Sequence, residues 1–542
     1  MTPRVLRASA LAGVLIIVTG LGSGTAAQKR TSPDPFAVRG KVALAELAQQ
    51  RRLWVPGEAL VRFRREVGRS EASRLLAPHD ARVKEDFPSL DVSLVDLAEG
   101  VSVPEALSAL RSDPSVAFAE PNKLIYGSFV PDDPRFEDLW GLNNTGQAHR
   151  ISDPPPSKAS GTPDADGDVT EAWDSQLGNP ATVVGIIDSG VDVEHPDLDD
   201  NIWINPDEIP ANDIDDDANG YVDDVNGWDF AQNDATLLET NSDIGGIDHG
   251  THVAGTVAAE ANNAAGVAGV CPSCNLMVLK FMKPGDTDGD HQPDEMIGTL
   301  GSELKALDYA RKEGAQIVNG SFTTFLWSRS ERAAYRKLGD KGILSVLAAG
   351  NSSLDNDMLL NYQFPDGSLA FSPEYPASFD LQKILSVAAS NHKDEYGYFT
   401  GCDTELARWR CEFTSWGHDS VDVVAPGVDI VSTVPDAKYA TFNGTSMAAP
   451  FTAGVAGLVL SANPTYGARD IKNAIMNSVD KRTSLRKMPA FQGGPAEGKF
   501  TLTNGRVNAA DALTASTASA TPASDGNIKG ALPMKKFKQG DV

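Results

Sequence analysis

Apolar positions along the chain fall into three regimes. From Ala8 to Leu21 they run almost unbroken, with Arg4 and Arg7 before them and Gly24, Thr25, Ala26 and Ala27 after. A positive start, a short apolar core and a small-residue finish describe a secretory signal peptide over residues 1–27, cut after Ala26 or Ala27. The run is short of the roughly 20 residues a span requires, which disfavours a membrane anchor. No later stretch reads as long and apolar enough to span, so the mature protein is expected to be exported with no stable membrane anchor.

Residues 28–127 show short elements. About 25 polar residues lead into an alternating segment at 57–64, with Ala59, Val61 and Phe63 on one face. Helical spacing follows at 70–76 and 103–110. Strand patterns occupy 83–87, 92–97 and 116–120, the last ending before Pro121. The order strand, helix, strand, strand, helix, strand is the split βαβ pattern of a small α+β, ferredoxin-like domain, compact over about 54–122. Taken alone, such a unit could be an independent binding module.

Residues 128–515 form the third regime. Continuous β-branched apolar strands at 183–187, 276–279, 317–318, 344–348, 384–388 and 421–424 alternate with helical patterns. This predicts an α/β fold in three layers, a central mostly parallel sheet with helices on both faces. Residues 516–542 are rich in Ala, Ser and Thr and end with Lys535, Lys536 and Lys538, which reads as a flexible tail.

Composition narrows the function. The 542 residues are 41% hydrophobic and 7% aromatic, a globular balance. The net charge of −27 excludes a nucleic acid held through its phosphates, which needs clustered Lys and Arg. The charge is uneven. The signal peptide counts +2, residues 28–127 +1 and the tail +2, leaving −32 on residues 128–515.

Chemistry concentrates in four segments. Val183 to Asp188 is a buried-type strand ending in a carboxylate and a glycine turn, and functional groups in α/β sheets collect beyond such strand ends. His249-Gly-Thr-His252-Val-Ala-Gly-Thr opens a small-residue helix. Its histidines at i and i+3 lack the glutamate and i+4 spacing of the zinc-protease helix. Gly444-Thr-Ser446-Met-Ala-Ala-Pro450 places a serine where a helix begins, with free N–H groups and a favourable dipole. Asp, His and Ser in that order supply an orienting carboxylate, a base near neutral pH and a nucleophile. Val346-Leu-Ala-Ala-Gly350-Asn351 adds an amide that can donate to an oxyanion.

With these segments together, the chain resembles the subtilisin-like serine proteases, the subtilase family (peptidase family S8). The likeness extends to Val424-Ala-Pro-Gly and Gly505-Arg-Val-Asn-Ala-Ala, and covers about residues 130–512. It implies that Asp188 orients, His249 is the general base and acid, Ser446 attacks, and Asn351 shares the oxyanion hole with the Ser446 amide. It also implies that residues 28–127 are an inhibitor-like propeptide that aids folding and is removed autocatalytically between about Asn122 and Val130. Substrate would lie as an extended strand beside Ser321, Phe322, Thr323 and beside Ala348, Ala349, Gly350. Thr323 stands where the family usually carries glycine, which would crowd the groove. Asp197 and Asn263 match positions of the family's high-affinity calcium site, although one extra residue separates His249 from that loop.

The acidic charge has a further reading. Between Asp188 and Asp248 there are 19 acidic residues and no Lys or Arg. Within that stretch Asp213, Asp215, Asp217, Asn219 and Asp223 alternate around Gly220, like the first half of an EF-hand loop, although Asn226 stands at the twelfth position in place of Glu. Crowded carboxylates repel unless a cation neutralises them, and calcium is the expected structural ion. Asp286, Asp288, Asp290 and Asp294 repeat the spacing. The four cysteines form two local pairs, Cys271 with Cys274 and Cys402 with Cys411. Disulfides fit export, with zinc and a redox site as alternatives. The expectation is a secreted, monomeric, calcium-stabilised endopeptidase acting on protein or peptide substrates. A catalytically dead adhesive protein and an esterase are its rivals.

Overall fold

A computed structural model describes residues 54–64, 69–98, 101, 103–123, 130–150, 158–239, 244–286, 292–358, 360–363, 369–397, 414–487 and 498–518. The signal sequence, the tail beyond 518, Cys402, Cys411, Asp288 and Asp290 lie outside the described residues.

The N-terminal unit consists of β1 (Trp54–Phe63), α1 (Arg69–Leu76), β2 (Arg82–Phe87), β3 (Val92–Asp96), α2 (Val103–Ser112) and β4 (Val116–Lys123). The sheet order is β2-β3-β1-β4, antiparallel throughout. Its core takes Ala59, Val61 and Phe63 from β1 with Leu76, Leu107 and Leu110 from the helices. The last strand does not stop before Pro121 but runs through it, pairing Pro121 with Ala59. An edge strand tolerates a residue without an N–H, and β4 is at the edge.

The larger unit is built on a nine-stranded sheet. In chain order its elements are β5 (Val183–Asp188), β6 (Gly227–Asp229), α3 (His249–Ala258), β7 (Asn275–Lys280), α4 (Leu300–Lys312), β8 (Ile317–Gly320), α5 (Arg329–Lys341), β9 (Leu344–Ala348), β10 (Ile384–Ser390) and β11 (Val423–Pro426). They continue with the hairpin β12 (Ile430–Val434) and β13 (Lys438–Phe442), then α6 (Thr445–Ala462), α7 (Ala468–Ser478), β14 (Asp480–Lys481) and β15 (Gly505–Arg506). The sheet order is β14-β15-β11-β10-β9-β8-β5-β7-β6, parallel except for the β14–β15 pair.

The central strands are buried along their whole length, which is why they read as continuous apolar runs rather than alternating ones. Ile187, Met277, Leu279, Val318 and Leu347 share one cluster with Leu307, Tyr309, Tyr335 and Leu338 of α4 and α5. Helices α3 and α6 pack on each other and on the strands. Helix α6 corrects the expectation that no later segment is long and apolar enough to span a membrane. It meets both criteria, yet 89% of it is buried inside the protein. It is the core helix that carries Ser446.

Candidate active site

Three strand ends and two helix starts assemble the site. Asp188 is the last residue of β5 and is 1% exposed. Its Oδ1 accepts from Ser189 N–H at 2.7 Å and lies 2.8 Å from His249 Nδ1, at the first residue of α3. Its Oδ2 is buried with no hydrogen-bond partner among the described residues. Burial opposes protonation of His249. The charge and hydrogen bond of Asp188, with Asp248 behind them, outweigh that and raise its pKa above 6.5.

The second histidine is structural. His252 is fully buried, its Nε2 lies 3.0 Å from Ile430 O, and its ring stacks on Phe442 at 4.3 Å. Burial pushes its pKa down to about 3, which keeps it neutral.

Ser446 sits in the first turn of α6, behind Gly444. Its Oγ donates to Ser321 O at 3.2 Å, and Ser321 Oγ donates back to Ser446 O at 2.9 Å. Among the described residues no hydrogen bond joins Ser446 Oγ to His249; the hydroxyl rests on the residue that follows β8. Asn351 follows β9 through Gly350. Its Oδ1 accepts from Thr445 N–H at 2.9 Å and from Thr445 Oγ1 at 2.8 Å, which fixes the amide and turns Nδ2 outward. A Cβ at Gly444, where φ is 153°, would lie 3.2 Å from Asn351 Nδ2 and 3.4 Å from Ser446 N. Glycine there keeps open the space between the two donors.

The expected groove segments flank this corner. Ser321 is buried, Phe322 packs on Phe281 at 4.6 Å, and Thr323 is exposed. Ala348 and Ala349 are buried. The N–H groups of Ala349 and Gly350 donate to Val387 O and Thr445 Oγ1. Their carbonyls accept from Asn356 Nδ2 and Ser415 N–H. The main-chain groups of both residues are therefore bonded within the protein.

The acidic loop is rearranged relative to its spacing. Asp215 accepts from Asn219 N–H and Gly220 N–H, and Asp223 from Asn212 N–H and Asp213 N–H, so both carboxylates brace the loop backbone. Asp217 instead comes together with Glu208 and Asp224, which the alternating pattern does not select. Asn219 donates from Nδ2 to Asp217 and Asp224. Glu208 and Asp224 are buried, burial raises both pKa values, and Glu208 Oε2 has no hydrogen-bond partner among the described residues. An all-oxygen set with an orphaned buried carboxylate oxygen fits a hard divalent cation.

Asp197 and Asn263 also meet: Asn263 Nδ2 donates to Asp197 Oδ1 at 2.7 Å and Val267 N–H to Oδ2 at 2.8 Å. Burial, with the charge of Asp197 adding to it, pushes nearby Asp133 up to about 6. Asp286 and Asp294 sit at the mouth of the hairpin Met282–Gly285 and Glu295–Gly298. Cys271 and Cys274 are joined by a disulfide.

The subtilase family model matches residues 179–501, more than half of the chain, and the fervidolysin N-terminal prodomain model matches residues 41–122. The chain is 29% identical over 448 residues to a thermophilic serine proteinase of Bacillus sp. (strain AK1), covering 81% of this chain and 86% of that protein. It is 32% identical over 311 residues to thermitase of Thermoactinomyces vulgaris, covering 57% and 85%. It is 32% identical over 315 residues to subtilisin-like protease 1 of Plasmodium berghei (strain Anka), where it covers 58% of this chain and spans only 48% of the relative.

Proposed function

The chain belongs to the subtilase family of serine proteases, and from that premise we propose that it is a secreted, calcium-stabilised endopeptidase made as a zymogen. Residues 1–27 direct export. Residues 28–127 are the propeptide, residues 128–515 the protease, and residues 516–542 a tail.

The 2.8 Å bond between Asp188 and His249 carries this reading. It holds the proton on Nδ1 and leaves the Nε2 lone pair free for the serine. Ser446 Oγ turns from Ser321 O, gives its proton to Nε2 and attacks the scissile carbonyl carbon. The carbonyl oxygen becomes an oxyanion between Asn351 Nδ2 and Ser446 N–H. His249 then protonates the departing amine, leaving an acyl ester on Ser446, and the same base activates the water that hydrolyses it. The negative Asp188 stabilises the imidazolium of both steps. Glu208, Asp217 and Asp224 would hold one calcium ion, with Asp197 and Asn263 at a second. Bound calcium supplies no step of the reaction; it neutralises the acidic loop.

Casein hydrolysis and labelling by a fluorophosphonate test the reading. Both are expected in the wild type and absent in Ser446→Ala, whose N-terminus should retain the propeptide. Removal of the propeptide at the same place in purified Ser446→Ala would overturn autoprocessing. Labelling without casein cleavage would leave an esterase, and no labelling a binding protein.

A further inference from the structure

The groove holds a carboxylate that the reaction does not use. Glu374 is 1% exposed. It lies directly against Gly350: a Cβ built on that glycine would fall 2.1 Å from Glu374 Oε2. The carboxylate therefore fills the volume beneath the residue that precedes Asn351.

Its hydrogen-bond donors come from both flanks of the groove. Thr323 Oγ1 donates to Oε1 at 3.5 Å from one side and Ser352 Oγ at 2.9 Å from the other, while Ser415 Oγ donates to Oε2. Backbone bonds in both directions between Thr324 and Tyr375, at 2.7 and 2.8 Å, tie the residue after Glu374 to the Thr323 segment. Glu374 thus bridges Ser321–Thr323 and Ala348–Gly350 from below. Among the described residues no Lys, Arg or His forms an ion pair with it. A buried carboxylate with hydroxyl donors and no counter-charge is stabilised in its ionised form by a cation placed beside it.

Placement decides which cation. The carbonyl held by Asn351 Nδ2 and Ser446 N–H belongs to the substrate residue before the scissile bond. On the peptidase reading, an extended substrate lying between Ser321–Thr323 and Ala348–Gly350 would direct that residue's side chain between the two segments, toward Glu374. Resting on the peptidase reading above, we propose that Glu374 is the specificity-determining residue of this pocket and selects lysine or arginine immediately before the scissile bond. The exposed Thr323 hydroxyl, the longest of the three contacts, is the one an entering ammonium or guanidinium displaces. Burial pushes the carboxyl up to about 7 in spite of its three hydroxyl donors, and a cation arriving beside it would favour the ionised form. The Thr323 crowding read from the sequence becomes a polar cover over a carboxyl floor.

The test compares peptides that differ only at this position, carrying Lys, Arg, Gln, Met or Leu, on the full-length processed enzyme. The wild type should give kcat/KM for Lys or Arg at least about tenfold above Leu and Met, and Glu374→Gln should reduce that ratio by about tenfold or more. No basic preference in the wild type overturns the inference. So does a Glu374→Gln variant that slows every peptide by the same factor, because that is the mark of a brace. Should the variant not fold, reversible peptide aldehydes ending in argininal and leucinal decide on the wild type alone: the argininal should bind at least about tenfold tighter, and equal or weaker binding overturns the inference. An enzyme that cleaves casein and is labelled at Ser446 yet shows no basic preference refutes only this inference. An unlabelled, inactive protein refutes the peptidase reading beneath it.

Discussion

Thr445 donates to Asn351 Oδ1 through both its N–H (2.9 Å) and its hydroxyl (2.8 Å), and its Oγ1 accepts from Gly350 N–H (3.1 Å). One small side chain thus pins the amide that the proposed mechanism turns toward the oxyanion. Asp188, His249, Asn351 and Ser446 were legible because each sits in its own local motif. Thr445, Glu374, Glu208 and Asp224 were not, since what each does depends on partners distant in the chain: Glu374 meets Thr323, and Glu208 meets Asp224. Preorganised donors act on the transition state and little on bound substrate. Steady-state kinetics should therefore show Asn351→Ala lowering kcat about 10²–10³-fold with little change in KM. Thr445→Val, which keeps the N–H donor and loses the hydroxyl, should lower kcat by about tenfold. A rise in KM alone would assign these residues to substrate binding.

At the scale of elements, the six strands read from the sequence lie within two residues of their expected positions because they are buried on both faces, whereas the short β6, β14 and β15 carry too few residues to show a pattern. The failures have physical causes. Helix α6 imitates a membrane span because a small-residue helix through the middle of the protein has no polar face. The contents of the α4–α5 interface were invisible as well. Glu303 of α4 and Glu331 of α5 are 4% and 1% exposed. Tyr335 Oη donates to Glu303 Oε1 at 3.0 Å, while Glu331 Oε1 has no hydrogen-bond partner among the described residues. Burial, reinforced by the neighbouring Glu331, pushes Glu303 up to about 8, and burial pushes Glu331 up to about 7, both from an ordinary 4.5. Folded-state values above unfolded ones mean that the folded protein binds the extra protons. The stability these groups contribute is complete below about pH 4.5 and is lost as pH rises through 7 to 8. Glu331→Gln should raise the melting temperature at pH 9, with a gain that shrinks toward pH 5. A constant offset at both pH values would show that the carboxyl proton plays no part.

At the scale of the molecule, charge and topology dominate. The net charge of −27 was legible as a total, and its concentration between Asp188 and Asp248 pointed to cations. The grouping of Glu208, Asp217 and Asp224 was not, because it depends on how the loop folds back on itself. Ligand binding to the native state alone stabilises by mass action, so removing calcium with a chelator should lower the melting temperature. Asp224→Asn should lower it too and should shrink the chelator's effect. An equal chelator effect in the variant would place the ion elsewhere.

The sheet order has a consequence for how the protein comes into being. β5, formed from Val183–Asp188, is flanked by β7 and β8, which lie far downstream at Asn275–Lys280 and Ile317–Gly320. No central strand can pair with its sequence neighbour through a tight hairpin, so long loops must close before any parallel ladder is complete. Closure entropy is spent early and repaid late, which raises the folding barrier without weakening the finished structure. The antiparallel N-terminal unit, whose strand pairings all stay within residues 54–123, can fold first in such a chain. The arrival time of the fold, more than its depth, is the quantity this topology places at risk.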